Sequence, residues 1–288
     1  MQLTKDKQIL IVGLGLLGGS YASSLTRQGF RVSAITRRQE TIDYAINKGI
    51  IQSGDVNINR ELIEAADLII FSLYPTTLLE WLESNGHLIR PGTIVTDVTG
   101  VKGYVTEQIQ SMLPEGVEYI GAHTMAGREV LGVENSDEEI FRGANYLVVP
   151  TEKNSEDAIE LCEDLGFRLG FARVSRLSVE EHDRMIAFLS QLTHCIAVSL
   201  MCCNDDANLV RYTGDSFRDL TRIARINDGM WSELFMCNRE KLLEQMDIFS
   251  ETFGELRRAL AEGDVEKMRE MMRHSTAHRA LFDKPKKD

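Results

Sequence analysis

The side chains best suited to proton transfer and anion binding lie in two short segments of this sequence. Residues 121–129 place His123 after an apolar run and between glycines. A histidine titrates near neutral pH and can take a proton from an alcohol while a hydride leaves the same carbon. Residues 214–224 carry Arg218 and Arg222, which share one face if the segment is helical. Two such guanidiniums can clamp a carboxylate, so the pair predicts an acidic substrate, and an ordinary salt-bridged helix is the alternative.

A glycine-rich turn near the N-terminus predicts the site of the hydride acceptor. Residues 9–12 are typical of a buried strand, and a helix-compatible run begins at Leu16. Between them, Gly13 allows a tight turn, Gly15 lets the backbone approach a pyrophosphate, and Gly18 lets the helix pack on the strand. The pyrophosphate would lie on the positive end of that helix. In this context the motif predicts a dinucleotide site, and a structural turn without a ligand is the alternative. The expected contacts are Gly13, Leu14, Gly15, Leu16, Leu17 and Gly18.

The end of the second predicted strand indicates which dinucleotide binds. In NAD-binding sheets an acidic residue at this point bonds the ribose 2′-hydroxyl. Here the position holds Thr36, followed by Arg37 and Arg38. No carboxylate repels a 2′-phosphate there, and two guanidiniums can pair with it. The sequence therefore predicts NADP in preference to NAD; the alternative is that the two arginines only begin a solvated helix.

Alternating strands and helices bring these segments to one edge of a sheet. This alternation is typical of an α/β fold with a doubly wound, Rossmann-type parallel sheet, in which ligands bind beyond the carboxyl ends of the strands. Residues 73–76, 99–102 and 123–129 should therefore converge on the cleft beside the glycine turn. The strands are predicted at 9–12, 31–35, 67–73, 93–97, 118–122, 146–150 and 171–174. The cofactor contacts expected from the first converging segment are Leu73, Tyr74, Pro75 and Thr76.

The second part of the chain has a helical pattern. Ser178 and Glu181 form a capping box, and apolar residues recur at helical spacing after it. His194 falls well inside this helix, where a buried polar group needs a partner. Because no convincing strand follows, we predict a dinucleotide-binding domain at 1–176 and an all-α domain at 177–288.

Two later helices are predicted to begin after the N-caps Asn238 and Asp264. The first of them carries an apolar stripe at helical spacing. Packing within the chain is the slightly favoured interpretation of this stripe, and a dimer interface is the alternative. The stripe consists of Leu242, Met246, Phe249, Phe253, Leu256 and Leu260.

Composition excludes several kinds of partner and site. A net charge of −12 argues against nucleic acid or an anionic membrane as the main partner. No apolar run approaches the length of a membrane span, and the N-terminus lacks the apolar core of a signal peptide. The five cysteines form no CxxC pair, which is typical of free thiols in a reducing cytoplasm. No metal site is expected, because His274 and His278 have helical spacing but no third ligand. The histidines expected to be structural or solvated are His87, His182, His274 and His278.

Five segments carry a recognisable pattern: Gly-Leu-Gly-Leu-Leu-Gly-Gly-Ser at 13–20, Asp-Val-Thr-x-Val-Lys at 97–102, Gly-Ala-His-x-Met-Ala-Gly at 121–127, Leu-x-His at 192–194 and Phe-Arg-Asp-x-Thr-Arg-Ile-Ala at 217–224. In this order they resemble the prephenate dehydrogenase family and its close relatives, the arogenate dehydrogenases. The resemblance implies oxidative decarboxylation of prephenate to 4-hydroxyphenylpyruvate with NAD(P)+, on the route to tyrosine. It also implies a homodimer built through the helical domain. The alternative within the family is an arogenate dehydrogenase, which forms tyrosine directly.

The resemblance implies a role for each matching residue. His123 matches the catalytic histidine that bonds the substrate ring hydroxyl. Arg222 matches the arginine that holds a substrate carboxylate, and His194 matches a second histidine of the pocket. No regulatory ACT domain is expected after the last helix. Positions near the mouth of the site are matched by Arg218, Asp219 and Trp231.

Three positions depart from the family pattern. Gly100 stands where the family usually has a serine, whose hydroxyl helps to position the histidine and the substrate hydroxyl. Thr124 and Thr193 stand where prolines are usual. Thr99 or a water is the expected substitute for the missing hydroxyl; the alternative is a non-catalytic, NADP-sensing dimer. The two arginines after the second strand fit NADP-using arogenate enzymes, whereas His194 favours prephenate.

Overall fold

An eight-stranded sheet dominates the first part of the chain. The structure is a computed structural model and describes residues 3–128 and 130–283. The strands are β1 (Gln8–Val12), β2 (Arg31–Ile35), β3 (Ser53–Asp55), β4 (Leu68–Phe71), β5 (Ile94–Asp97), β6 (Glu118–Thr124), β7 (Asn145–Val149) and β8 (Arg173–Arg176). They lie in the order β3-β2-β1-β4-β5-β6-β7-β8, and every neighbouring pair is parallel except β6 with β7. The predicted doubly wound, Rossmann-type fold class is confirmed.

Helices cover both faces of this sheet. Successive side chains of a strand point to opposite faces. Ile9 and Ile11 of β1 accordingly join one buried apolar cluster, whereas Leu10 and Val12 join another. The first cluster includes residues of α1, α2 and α6, and the second includes residues of α3, α4 and α5. These helices are α1 (Leu16–Arg27), α2 (Gln39–Asn47), α3 (Arg60–Ala65), α4 (Pro75–Asn85), α5 (Thr106–Met112) and α6 (Glu156–Arg168).

The sheet differs from the predicted one at β3, β6 and β7. The three residues of β3 form no apolar run, and the sequence does not predict this strand. β7 is antiparallel to β6, so the sheet is not parallel throughout. Residues 118–120 of β6 pair with β5, and residues 121–124 of β6 pair with β7. His123 therefore lies inside the strand, opposite Leu147, and not beyond the strand end.

Helical elements follow the sheet, and the predicted capping box is confirmed: Ser178 and Glu181 each bond the backbone N–H of the other. α7 leads without a break through a π-helical turn into α8. The elements are α7 (Val179–Ile186), the π-helical turn (Ala187–Leu192), α8 (Thr193–Cys202), α9 (Asp215–Thr221), α10 (Asp228–Cys237), α11 (Arg239–Glu262) and α12 (Val265–Ala280). Short 3₁₀ helices cover Gly86–Leu88, Val133–Asn135, Glu138–Phe141, Ala207–Arg211 and Arg222–Ala224.

The chain divides into two compact units, Met1–Arg239 and Glu240–Asp288. The first unit holds the sheet and the helices through α10, which include every site residue predicted from the sequence. The domain boundary between residues 176 and 177 stays a prediction.

One expectation for the later helices needs correction, and one stays a prediction. Asn238 ends α10 and its amide nitrogen donates to Asp183 O and Gln191 Oε1, and its role as the N-cap of α11 stays a prediction. Asp264 does cap α12, accepting from the N–H of Lys267. In the stripe on α11, Leu242 is buried and Met246 and Leu256 are half-buried. Packing within the chain is the wrong interpretation for its three exposed members, which are Phe249, Phe253 and Leu260.

The continuous helical run 179–202 is long and apolar enough to cross a membrane, by length and composition only. The expectation that no run reaches this length is therefore wrong. A core helix of a soluble protein can satisfy the same two criteria. This run alone is therefore weak evidence that the chain crosses a membrane.

Candidate active site

The glycine turn between β1 and α1 forms a cradle at the N-terminus of the helix. Gly13 has a φ of +95°, and a Cβ there would overlap the carbonyl of Ser72. A Cβ on Gly18 would overlap the carbonyl of Gly13, so α1 lies close to the strand. At Gly15 a Cβ would meet no atom within 4 Å. Since α1 also has no side-chain N-cap, its first N–H groups and this open space fit a pyrophosphate.

The leucines of the turn are mostly turned into the protein. Leu14 and Leu16 are buried and Leu17 is half-buried. Their backbones, rather than their side chains, are therefore the groups placed toward the cradle.

Two exposed arginines follow β2. The N–H of Thr36 donates to Asp55 O of β3 at 3.1 Å. Arg37 and Arg38 are both exposed, and Arg38 Nε lies 3.9 Å from the carboxylate of Glu40. Arg38 also precedes α2, which has no side-chain N-cap, so the positive end of that helix adds to the two guanidiniums.

Residues 73–76 lead from β4 into α4 and lie against the glycine turn. Leu73 and Ser72 supply the atoms closest to Gly13. Tyr74 precedes α4 and Pro75 begins it. The N–H of Thr76 donates to the carboxylate of Glu233 on α10 at 2.7 Å. The helix α10 therefore reaches the strand ends where the predicted cofactor contacts lie.

A chain of hydrogen bonds begins at His123 and leads away from the cleft. His123 Nδ1 and His182 Nε2 are 2.9 Å apart, and His182 Nδ1 lies 2.7 Å from Asp183 Oδ1. The carboxylate of Asp183 also accepts the backbone N–H groups of Lys102 at 2.8 Å and Gly103 at 2.7 Å. β6 thus supplies the histidine, α7 supplies His182 and Asp183, and the loop after β5 fixes the carboxylate.

That loop is held by a buried ion pair. The side chains of Lys102 and Asp97 are fully buried, and Lys102 Nζ lies 2.7 Å from Asp97 Oδ2. Tyr119 Oη donates to the other carboxylate oxygen at 2.9 Å. The Thr99 hydroxyl contacts the Asp97 carboxylate and accepts from Lys102 Nζ at 3.0 Å. Thr99 is therefore occupied inside this network, which argues against it as the substitute for the missing serine hydroxyl.

Burial and neighbouring charges set the protonation of the two histidines. His123 lies deep in the cleft with part of its surface exposed. Desolvation, followed by the charges of His182 and Lys102, lowers the pKa of His123 well below its ordinary value of 6.5. Desolvation also lowers the pKa of His182, against the opposing hydrogen bond to Asp183. For Asp183, desolvation raises the pKa, but hydrogen bonds from His182 and the backbone bring it below its ordinary value. At neutral pH both histidines are neutral and Asp183 is ionised.

Gly100 lies beside His123 with room for a Cβ. A Cβ at Gly100 would lie 3.5 Å from the nearest methyl carbon of Leu234 and 3.9 Å from His123 Cε1. These are ordinary van der Waals distances. Leu234 of α10 covers the position, and Gln191 of the π-helical turn donates to Leu234 O at 2.9 Å.

His194 lies under α10 as well. Its ring stacks on the indole of Trp231, with ring centroids 3.7 Å apart and planes inclined by 30°. His194 Nδ1 lies 2.9 Å from Ser190 O, so this nitrogen carries the proton. α10 therefore contacts three predicted site segments, through Trp231, Glu233 and Leu234.

The two arginines do not share a regular helix face. α9 ends at Thr221, and Arg222 begins the 3₁₀ turn Arg222–Ala224, which packs against α8. Arg218 pairs with Asp215 at 3.1 Å and donates to Thr213 O at 3.0 Å, within its own segment. Arg222 is thus placed next to the helix that carries His194, whereas Arg218 serves local structure.

Sequence reasoning missed His182 and Asp183. His182, expected to be structural or solvated, is fully buried and bonded to His123, so it is not solvated. The only local signal of His182 and Asp183 is a polar dipeptide at buried positions of an amphipathic helix. His87 is exposed, and the rings of His274 and His278 lie 4.3 Å apart. Among residues 3–128 and 130–283, no three His, Cys, Asp or Glu side chains form a group that could hold a metal.

Comparison with known proteins adds two family matches. The family described as "Prephenate dehydrogenase, nucleotide-binding domain" matches residues 21–172, and "Prephenate dehydrogenase, dimerization domain" matches residues 178–274. The prephenate dehydrogenase of Bacillus subtilis (strain 168) is 31% identical over 277 residues, which cover 93% of this chain and 74% of that protein. The cyclohexadienyl dehydrogenase of Zymomonas mobilis is 26% identical, covering 95% of both chains.

A solved structure has the same fold over nearly the whole chain. It is the prephenate dehydrogenase of Aquifex aeolicus in complex with hydroxyphenyl propionate and NAD+. The TM-score is 0.89 at 27% sequence identity, covering 98% of this chain and 100% of that chain.

Proposed function

Because this chain belongs to the prephenate dehydrogenase family, we propose that it converts prephenate to 4-hydroxyphenylpyruvate and CO2 with a nicotinamide cofactor. The observation that carries the proposal is the position of His123, which lies in β6 beside the loop after β5 with its Nδ1 bonded to His182. The glycine cradle formed by Gly13, Gly15 and Gly18 fits the pyrophosphate of the cofactor.

In the proposed reaction His123 acts on the ring hydroxyl of the substrate. Its Nε2 takes the hydroxyl proton as the carbinol carbon loses a hydride. A bound nicotinamide supplies the acceptor for that hydride. Loss of the ring carboxylate as CO2 leaves its electron pair in the ring, which becomes aromatic, and His123 returns the proton to the phenolate oxygen. The protein therefore releases no net proton.

Arg222 and His194 are the proposed contacts for the rest of the substrate. The structure places the 3₁₀ turn of Arg222 against α8, which carries His194. A guanidinium can pair with a carboxylate in bidentate fashion. His194, stacked on Trp231, offers a polar edge on an aromatic platform. Arg218 is retained in the proposal only as a residue near the mouth of the site.

A second candidate is arogenate dehydrogenase activity, favoured by the exposed Arg37 and Arg38 after β2. Purified protein should be mixed with NADP or NAD and with prephenate or arogenate, and the absorbance of the reduced nicotinamide followed. Faster turnover of prephenate supports the main proposal, and faster turnover of arogenate replaces it with the second. Tight NADP binding without turnover of either substrate would support the sensor alternative.

We propose NADP as the preferred cofactor. Arg37 and Arg38 are exposed where the 2′-phosphate would lie, and Thr36 brings no negative charge. Thr36→Asp should shift the ratio of kcat/KM values toward NAD, because a carboxylate would repel the phosphate and bond the ribose hydroxyl. Thr36→Ser, which adds no charge, is the matched control. A wild-type protein that prefers NAD tenfold would contradict the assignment.

We further propose a homodimer formed through the helical domain, residues 177–288. Support comes from the dimerization-domain family and from the exposed aromatic side chains of α11. Phe253 and Phe167 are both 61% exposed, but only Phe253 lies in the matched region. Phe253→Glu should lower the mass measured by light scattering, whereas Phe167→Glu should not. If both variants keep the mass of a dimer, α11 does not form the interface.

We propose a cytoplasmic location, with no nucleic acid or membrane as partner. The net charge of −12 and the small-molecule substrate of the family support this assignment. Recovery of the native protein in a membrane pellet would contradict it.

A further inference from the structure

The carboxylate of Asp183 has a fixed hydrogen-bonding direction. The backbone N–H groups of Lys102 and Gly103 both point at it, and a backbone N–H can only donate. Asp183 must therefore remain an acceptor at both oxygens. Since Oδ1 also lies 2.7 Å from His182 Nδ1, that nitrogen carries a proton.

The proton on His182 Nδ1 determines the other nitrogens in turn. His182 is fully buried, and Lys102, the nearby buried cation, disfavours a second positive charge. A neutral His182 has a lone pair on Nε2, which accepts from His123 Nδ1 at 2.9 Å. A neutral His123 then has its lone pair on Nε2, the nitrogen on the side of the ring away from His182.

The loop after β5, which binds the Asp183 end of these hydrogen bonds, is itself held by buried bonds. Lys102 donates its backbone N–H to Asp183 and its Nζ to the buried carboxylate of Asp97. The same Asp97 carboxylate accepts the N–H of Ala122, the residue before His123. The loop after β5 therefore holds the strand that carries His123 and also holds the last acceptor of the chain.

We propose that His182 and Asp183 are positioning residues that hold His123 in the tautomer with an unprotonated Nε2. Neither residue needs to touch substrate. Asp183 fixes His182, His182 fixes His123, and the negative charge of Asp183 stabilises the positive charge that His123 gains when it takes a proton. The assignment of a substrate hydroxyl to Nε2 rests on the proposed function, but the tautomer does not.

Spectroscopy of the ligand-free protein tests the tautomer directly. Histidine labelled with nitrogen-15 distinguishes protonated from unprotonated ring nitrogens in long-range proton–nitrogen spectra. For His123 we expect a protonated Nδ1 and an unprotonated Nε2, and for His182 a strongly hydrogen-bonded proton on Nδ1. A His123 protonated at Nε2 would overturn the proposal, whatever the activity of the enzyme.

Two substitutions at His182 separate positioning from packing. His182→Leu removes the acceptor and leaves both tautomers of His123 available. His182→Gln keeps an acceptor oxygen near the position that His182 Nε2 occupies in the wild-type protein. We expect kcat to fall at least tenfold in the leucine variant, within the factor of about 10² to 10⁴ that a positioned base contributes, with little change in KM. The glutamine variant should recover most of that loss and restore the protonated Nδ1 of His123.

The matched control is Glu181→Ala in the same turn of α7. It removes the side-chain half of the capping box without touching the hydrogen bonds between Asp183, His182 and His123. Its melting temperature should fall while kcat stays near the wild-type value. A wild-type kcat for His182→Leu, or equal losses in the leucine, glutamine and Glu181 variants, would overturn the positioning role. The predicted tautomer in a wild-type protein that turns over neither substrate would support the positioning chain and refute the proposed function.

Discussion

Gly100→Ser restores the hydroxyl that the family usually has beside the catalytic histidine. The added Cβ would lie 3.5 Å and 3.7 Å from the methyl carbons of Leu234 and 3.9 Å from His123 Cε1. No neighbour must move at these distances. Gly100 is not among the glycines with positive φ, so a side chain brings no backbone strain there. We therefore expect the serine variant to fold with unchanged or slightly higher stability, by about 0.4–1 kcal/mol.

The effect on catalysis follows from one additional hydrogen bond. A neutral hydrogen bond contributes about 0.5–1.5 kcal/mol, so the gain in kcat/KM should be at most about tenfold. A gain at the low end is expected, because His182 already orients His123 from the other side of the ring. The assay is the initial rate of nicotinamide reduction over a range of prephenate concentrations, with the melting temperature measured in parallel.

Gly100→Ala is the control, because it adds the same Cβ without a hydroxyl. Its kcat/KM should stay within about twofold of wild type, since the Cβ meets only van der Waals contacts. The difference between the serine and alanine variants then isolates the hydroxyl. A tenfold loss of kcat/KM in both variants would show that a Cβ at Gly100 does not fit beside Leu234 and His123.

Further predictions concern the base, the substrate anchor and the buried ion pair. His123→Asn should lower kcat by about 10²- to 10⁴-fold and leave cofactor affinity unchanged; wild-type turnover would exclude the histidine from the mechanism. Because the pKa of His123 is depressed, its base form persists as pH falls, and wild-type kcat/KM should decline only below pH 6.5. Arg222→Ala should weaken substrate binding by a few kcal/mol, which raises the KM for substrate and leaves the KM for cofactor unchanged. Equal increases in both KM values would indicate a structural arginine. Lys102→Met leaves the Asp97 carboxylate buried without its cation, so the free energy of unfolding should fall by about 3–5 kcal/mol. The control is Lys7→Met, which breaks a partly exposed ion pair with Asp67 at 3.6 Å and should lower the free energy of unfolding by at most about 1 kcal/mol.

Most of the sheet could be predicted because its strands are apolar runs bounded by turn residues. β4 illustrates this, since all four of its residues are buried. β3 contains only Ser53, Gly54 and Asp55, and it forms because β2 offers a free edge. Such pairing depends on a neighbour distant in sequence, so no local pattern shows it.

The direction of β7 goes with a connection that holds no α-helix among its described residues. Parallel neighbours need a crossover of about a dozen or more residues, usually with a helix. Between β6 and β7 the described residues contain only the 3₁₀ turns Val133–Asn135 and Glu138–Phe141. Residues 125–144 are long enough for a crossover, so the alternating pattern predicts a parallel strand here. The predicted end of β6 before His123 is also wrong, because residues 121–124 are held in the strand by pairing with β7.

The candidate site was predictable where chemistry and local sequence coincide. The glycine turn and His123 carry their own signals, because few other residue types can fill those positions. His182 and Asp183 carry almost none. They follow a capping box, where polar residues usually face solvent, and they are buried only because α7 packs on a loop about 80 residues earlier in the chain.

The hydrogen-bond chain also changes what Gly100 means for catalysis. Loss of the serine hydroxyl threatens activity only if that hydroxyl is the group that holds the histidine. Here His123 has a partner at Nδ1, and that partner is fixed by a carboxylate that two backbone N–H groups keep in place. The substituted position is not an empty pocket either, because Leu234 packs over it. A base that is oriented from its far side needs no hydroxyl at Gly100 to present its lone pair, so this departure from the family pattern gives no reason to expect an inactive protein.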